Sequence, residues 1–210
     1  MDDSLETLKA QLKHQRGEIF GFVDLEPYAV LVPLIETQEG VALLFEVRAK
    51  TLRRQPGEIS FPGGKIELSD PSPAFAAVRE TAEELGIERE HIEIWSKLGI
   101  LVPPYQIAVH VYIGNIQQNV TFQPNTSEVE AVFTVPLSHL LLHPPEVYAM
   151  RVGLVPEDDF PYEHITGGRA YPFRQRVVPE YFYFYQGHVI WGMTARIVNQ
   201  FLRLLQKTHE

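Results

Sequence analysis

The apolar positions change period along the chain, and the changes mark out its elements. From Ala29 to Ile35 (AVLVPLI) they run almost unbroken, which predicts a strand buried on both faces, with Pro33 marking an end or a bulge. Glu36 to Gly40 reads as a turn and Val41 to Arg48 as the second strand of a hairpin. Glu58 to Phe61 is short and extended, and it delivers a paired glycine turn at Gly63-Gly64. The period then lengthens to that of a helix over Ala74 to Leu85, where Phe75, Val78, Ala82 and Leu85 form the stripe expected to face the core. Ser72 fits its N-cap, Pro73 its first turn and Gly86 its C-terminal stop. Strand character returns at Ile92 to Leu101, at Ile107 to Ile113 (closed by Gly114-Asn115) and at Glu128 to Val135. Within the second of these, His110 reads as a sheet residue rather than a ligand.

Pro136 to Leu142 reads as a short helix, mostly core, and Glu180 to Tyr185 (EYFYFY) as an aromatic strand used for packing. A last helix is expected over about residues 188–206, with Trp191 as a packing anchor. His143 to Pro179 shows no clear period and suggests only a hairpin with an extended loop. Near the N-terminus Ser4 to Gln15 is amphipathic, with Leu5, Leu8 and Leu12 in its stripe, and suits packing or a homodimer contact. Mixed strands around a central helix, with a second helix late in the chain, predict an α/β (α+β) sandwich.

A chain of 210 residues suits one domain. No apolar run approaches the roughly 18 residues of a membrane span, and the charged N-terminus is not a secretory signal, so a cytoplasmic protein without membrane partners is expected. Cysteine is absent, which excludes disulfides, a thiol nucleophile and zinc–thiolate sites. A net charge of −9 disfavours nucleic acid as a partner. Against that background Arg48, Lys50, Arg53 and Arg54 form a local basic cluster. It suits a small polyanion bound together with a metal; scattered surface charge is the alternative, chiefly for Lys50 and Arg54.

Glu80, Glu83 and Glu84 fall within an arc of about 100° on the predicted helix, with Arg79 at its edge. Such carboxylates repel each other, and a hard divalent cation removes the penalty. Ala76 and Ala77 flank this face and would let a ligand approach, while the backbone of Gly63 and Gly64 lies upstream, where it can meet phosphate. A plain solvated acidic face is the alternative.

The stretch Gly64 to Ile87 resembles the signature of the Nudix hydrolases, G-x5-E-x7-R-E-U-x-E-E-x-G-U, with U aliphatic. Gly64, Arg79, Glu80, Glu83, Glu84, Gly86 and Ile87 match it. The chain departs from it twice: the first acid is Asp70, eight residues rather than seven before Arg79, and the U after Glu80 is Thr81. Upstream, Arg48 to Gly64 is similar to the R-S-x3-R-x3-G-x3-F-P-G-G pattern of the coenzyme A pyrophosphatase branch, with Ala49 in place of its serine. Just before it, Leu44-Phe-Glu-Val only loosely follows the usual Leu-Leu-Thr-x. The Ile-Trp-Gly-x-Thr-Ala-Arg run from Ile190 to Arg196 is similar to the C-terminal helix of that branch.

The resemblance implies a mixed sheet between helices and metal-dependent hydrolysis of a diphosphate bond. It implies Mg2+ or Mn2+ on Glu80 and Glu84, with Glu83 as a third ligand, and Arg79 holding a glutamate in position. Arg48 and Arg53 would contact phosphates, with the Gly63-Gly64 backbone nearby, and the general base would be Glu80 or the loop acid Glu128. The substrate implied is a small nucleoside diphosphate derivative, coenzyme A or an acyl derivative; ADP-ribose, NADH or a nucleotide sugar is the alternative. A non-catalytic nucleotide sensor would be marked by loss of the helical glutamates, and all three are present.

Overall fold

The computed structural model describes Glu6, residues 25–104 and residues 106–207; the expected helix from Ser4 to Gln15, including Leu5, Leu8 and Leu12, otherwise lies outside the described residues. The centre of the molecule is a mixed sheet built on β1 (Glu26–Thr37). β1 runs parallel to β6 (Ile107–Ile116), from Glu26 opposite Ile107 to Leu34 opposite Asn115. Outside β6 lies β5 (Ile92–Leu101), antiparallel to it. On its other edge β1 forms a hairpin with β2 (Gly40–Arg48), and β7 (Val129–Pro136) covers the far edge of β2.

After Leu34–Leu43 the hairpin strands β1 and β2 splay apart. The segment 59–65 is wedged between them: β3 (Ile59–Ser60) pairs with β2, and β4 (Gly63–Lys65) pairs with β1. Two expectations are corrected here. Gly63-Gly64 is a strand rather than a turn, because β1 supplies its pairing. Pro33 neither ends β1 nor bulges it. Leu31 donates its N–H to Pro62 O, so the edge facing β4 is also the edge on which Pro33 lacks a donor, and Pro33 sits between the two antiparallel partners of β1.

The two faces of the sheet are covered by different helices, as the resemblance implies. Ala29, Leu31, Leu44 and Tyr112 meet α1 (Pro73–Leu85). Val32, Leu43, Phe45, Val109 and Val111 alternate with them and meet α3 (Gly192–Lys207) through Ala195, Val198 and Phe201. Phe45 stacks on Phe61 and Phe133, with ring centroids 4.8 and 5.6 Å away. α1 starts and stops where its caps predict: Ser72 Oγ accepts the Phe75 N–H, and Gly86 takes the left-handed conformation.

The core stripe of α1 is rotated from the expected one. Ala76, Ala77, Thr81, Ala82 and Leu85 are buried, whereas Phe75 is exposed and carries the Arg89 guanidinium 5.1 Å above its ring. The alanines therefore bring the helix close to the sheet rather than a ligand close to the helix.

In the short helix α2 (Leu137–Leu142) only Leu140 is buried, so it is not mostly core. The segment with no readable period is a hairpin with an extended loop: β8 (Glu146–Gly153) lies antiparallel to β9 (Gln175–Tyr185), with residues 154–174 between them. The last helix starts at Gly192, not at 188, because Gln186 and Gly187 make a two-residue turn with positive φ at both positions. That turn folds His188–Ile190 back on β9 as β10. Among the described residues no helix is long and apolar enough to cross a membrane.

Candidate active site

A cleft of about 600 Å3 opens where β1 and β2 splay. Glu80, Glu84, Gly63 and Gly64 line one end, Arg48 and Arg54 flank it, and Val109, Trp191, Met193 and Ile197 form an apolar wall. Each group is delivered by the fold just described. β2 carries Arg48 to the rim at a bulge between Val47 and Arg48, a local kink that re-aims a side chain. The wedge brings Ser60 and the glycines, and the first turn of α3 brings Met193. Thr194 ties that turn to the wedge by donating its hydroxyl to Ile59 O at 3.0 Å.

The three helical acids are not equivalent. Glu84 is 4% exposed, and its Oε2 accepts the Gly63 N–H at 2.7 Å. Glu80 is half-buried, and its carboxylate lies directly over the Cα of Gly64, where any Cβ would collide with it. Glu83 points outward, between Arg79 and Arg89. The arc of roughly 100° is thus a gradient from buried to exposed, rather than one solvated face.

Arg79 organises the acids. Its Nε and Nη2 grip both oxygens of Asp70 at 3.0 and 2.9 Å, and its Nη1 reaches Glu80 at 2.8 Å and Glu83 at 3.2 Å. The longer loop still delivers Asp70 to Arg79, helped by the Glu67 N–H, which donates to Asp70 at 2.8 Å. Arg79 holds the Asp70 carboxyl below the usual range.

One group in this cluster carries no signature match: Glu46. It is 1% exposed on β2, on the same sheet face as Leu44, and its Oε1 accepts the Ser60 hydroxyl at 2.8 Å. Burial, and then the nearby Glu46 charge, pushes Glu84 up to about 9; burial pushes Glu46 up to about 7. Burial also raises Glu80, against the pull of Arg79. The signal that could have found Glu46 is in the sequence, a single acid inside the apolar run Leu43 to Val47.

The remaining expected site residues divide. Arg48 lines the cleft, and its Nε is buried without a hydrogen-bond partner. Arg53 is exposed and lies outside the cleft lining, which its neighbour Arg54 enters instead. Lys50 is engaged by Glu130 at 2.7 Å. Glu128 is exposed on the loop before β7, near enough for its charge to raise Glu46 and Glu80. Of the paired glycines, Gly63 has given its N–H to Glu84. Trp191, expected as a packing anchor, stacks on Phe182 with centroids 6.1 Å apart and is exposed along its other side, at the cleft wall.

The donor set suits a hard divalent cation. The cleft lining offers carboxylates and backbone oxygens but no histidine, a chemistry for Mg2+ or Mn2+ rather than a soft metal. Glu46 Oε2 is buried with no partner, and the mutual repulsion of Glu46, Glu80 and Glu84 is offset only in part by Arg48 and Arg79. Among the described residues no three acidic or histidine side chains already converge at coordinating distance, because Glu80 and Glu83 are turned onto Arg79.

Comparison with known proteins places the chain. Over 149 residues it is 35% identical to the peroxisomal coenzyme A diphosphatase NUDT7 of Mus musculus, covering 70% of this chain and 63% of that protein. Over 184 residues it is 33% identical to the mitochondrial coenzyme A diphosphatase NUDT8 of Homo sapiens, covering 84% of this chain and 68% of that one. A MutT/nudix family protein from Enterococcus faecalis shares the fold at a TM-score of 0.50 and 16% identity, covering 97% of this chain and 70% of that one. The sequence model of the NUDIX domain matches residues 25–157, a span that holds both the wedge and the helical acids, and the chain belongs to the Nudix family.

Proposed function

We propose that the chain hydrolyses the diphosphate bond of coenzyme A or an acyl-coenzyme A, giving 3′,5′-ADP and (acyl-)4′-phosphopantetheine. The observation that carries this reading is the cleft itself. It joins a carboxylate cluster, two arginines at its rim and an apolar wall within one cavity, matching in order a diphosphate–metal unit, its surplus negative charge and a long, weakly polar arm. The two relatives at 33% and 35% identity, both named as coenzyme A diphosphatases, support the choice of substrate.

In this reading Glu80 and Glu84 hold Mg2+ or Mn2+, with Glu83 reached through water. The bound ion would neutralise phosphate oxygens and acidify a water molecule. Arg48 and Arg54 hold the non-reacting phosphate oxygens with forked donors. Glu80 or Glu128 accepts the proton released as the water oxygen bonds to phosphorus and the bridging P–O bond breaks. Arg79, fixed by Asp70, keeps Glu80 aimed and does not touch substrate.

The test is a product assay on purified protein with Mg2+ or Mn2+ against coenzyme A, acetyl-coenzyme A, ADP-ribose and NADH, with Glu84→Gln as blank. Release of 3′,5′-ADP from coenzyme A above the others is expected. Preferred cleavage of ADP-ribose or NADH would overturn the substrate while keeping the chemistry.

A further inference from the structure

Among the described residues, Glu46 is the charged side chain hardest to account for. It is 1% exposed, on the sheet face that Leu44 presents to α1, and near enough to Glu84 for its charge to raise that group. Its Oε1 is satisfied by Ser60 at 2.8 Å, while its Oε2 has neither water access nor a partner.

A buried carboxylate is tolerated if it is ion-paired, protonated or bound to a cation. The first fails on geometry. Arg48 is the nearby cation, yet no ion pair joins the two, and the Arg48 Nε is itself buried and unpartnered. The second removes the charge, yet Oε2 still has no hydrogen-bond partner in the structure. The third resolves Glu46 and Glu84 together. Glu84 commits Oε2 to the Gly63 N–H and keeps its other oxygen free.

We propose that Glu46 is a further metal-binding carboxylate, whose free Oε2 joins Glu84 in holding a divalent cation at the floor of the cleft. This rests on the metal-dependent reading above and extends it. Mg2+ sites usually offer one or two carboxylates and borrow the remaining oxygens from substrate phosphates and water. A third, buried carboxylate lets the cation stay when no substrate is present.

The experiment titrates substrate-free protein with Mn2+ and reads free Mn2+ by electron paramagnetic resonance, for the wild type, Glu46→Gln, Glu46→Thr and Glu84→Gln. Circular dichroism confirms that each variant is folded. The wild type is expected to bind Mn2+ without substrate, and Glu46→Gln to weaken that binding at least 10-fold. Glu46→Thr removes the carboxylate with a smaller side chain suited to a strand; it should weaken binding equally, and it carries the test if the glutamine variant does not fold.

Affinity in both Glu46 variants within twofold of the wild type, with binding lost in Glu84→Gln, would overturn the role of Glu46 alone. Unchanged affinity in Glu84→Gln as well would overturn the metal site on which the proposal rests. Mn2+ binding is read without turnover, so a wrong substrate assignment leaves the result intact.

Discussion

Glu84 occupies a costly position: a carboxylate 4% exposed, held by one backbone N–H and facing a second buried acid. It does not face solvent, so its replacement acts on stability as well as chemistry. Glu84→Gln is expected to raise the thermal midpoint of the metal-free protein, seen by calorimetry. In the product assay it should cut turnover at least about 100-fold, beyond the 10- to 100-fold typical of groups that only orient a ligand. Gly64→Ala places a methyl group where the Glu80 carboxylate now lies. The obstructing atoms end a flexible side chain, so the fold should persist while kcat falls about 10-fold or more with KM little changed. Arg54→Ala should raise KM more than it lowers kcat, whereas Arg53→Ala should leave both within about twofold; steady-state kinetics on coenzyme A separates them. At this scale the sequence carried the helical acids and Arg79 by their spacing. It did not separate Arg53 from Arg54, because the turn around Gln55, which has positive φ, decides which side chain enters the cleft.

The elements were legible wherever burial leaves a period. β1 reads as one apolar run because helices cover both of its faces, and α1 is bracketed by the caps that its flanking residues announce. Ser72→Ala should lower stability by about 1 kcal/mol in urea unfolding, since the Phe75 N–H loses its acceptor. Where no face is buried the signal disappears. β8 is exposed along nearly its whole length, so it shows no alternation, and only its partner β9 carries a readable stretch, the aromatic run from Glu180 to Tyr185. β4 was unreadable for a different reason. Two of its three residues are glycines, which disfavour strands, and it is a strand only because the gap between β1 and β2 has to be filled.

Across the whole molecule, the buried acids make stability depend on pH in an unusual direction. Glu46 and Glu84 have folded-state pKa values raised to about 7 and about 9, from an ordinary 4.5. The folded chain therefore keeps protons that the unfolded chain has released, and stability is lost as pH rises from about 4.5 through those values. Asp70 is shifted downward, so its contribution is lost only on acidification below that window. Calorimetry in chelator should show a midpoint that falls across this range, and Mn2+ should rescue it more at the alkaline end. A midpoint that rose toward alkaline pH in chelator would contradict the buried-acid account. The splay between β1 and β2 also bears on how the protein is made. The acids at positions 46, 80 and 84 leave the ribosome before β6, whose parallel pairing joins Glu26 to Ile107 across 107 − 26 = 81 positions. A contact that distant in sequence closes slowly. Until it closes, β1 lacks a neighbour along one edge, so the nascent chain carries its helical acids and Glu46 before the sheet that aligns them is complete.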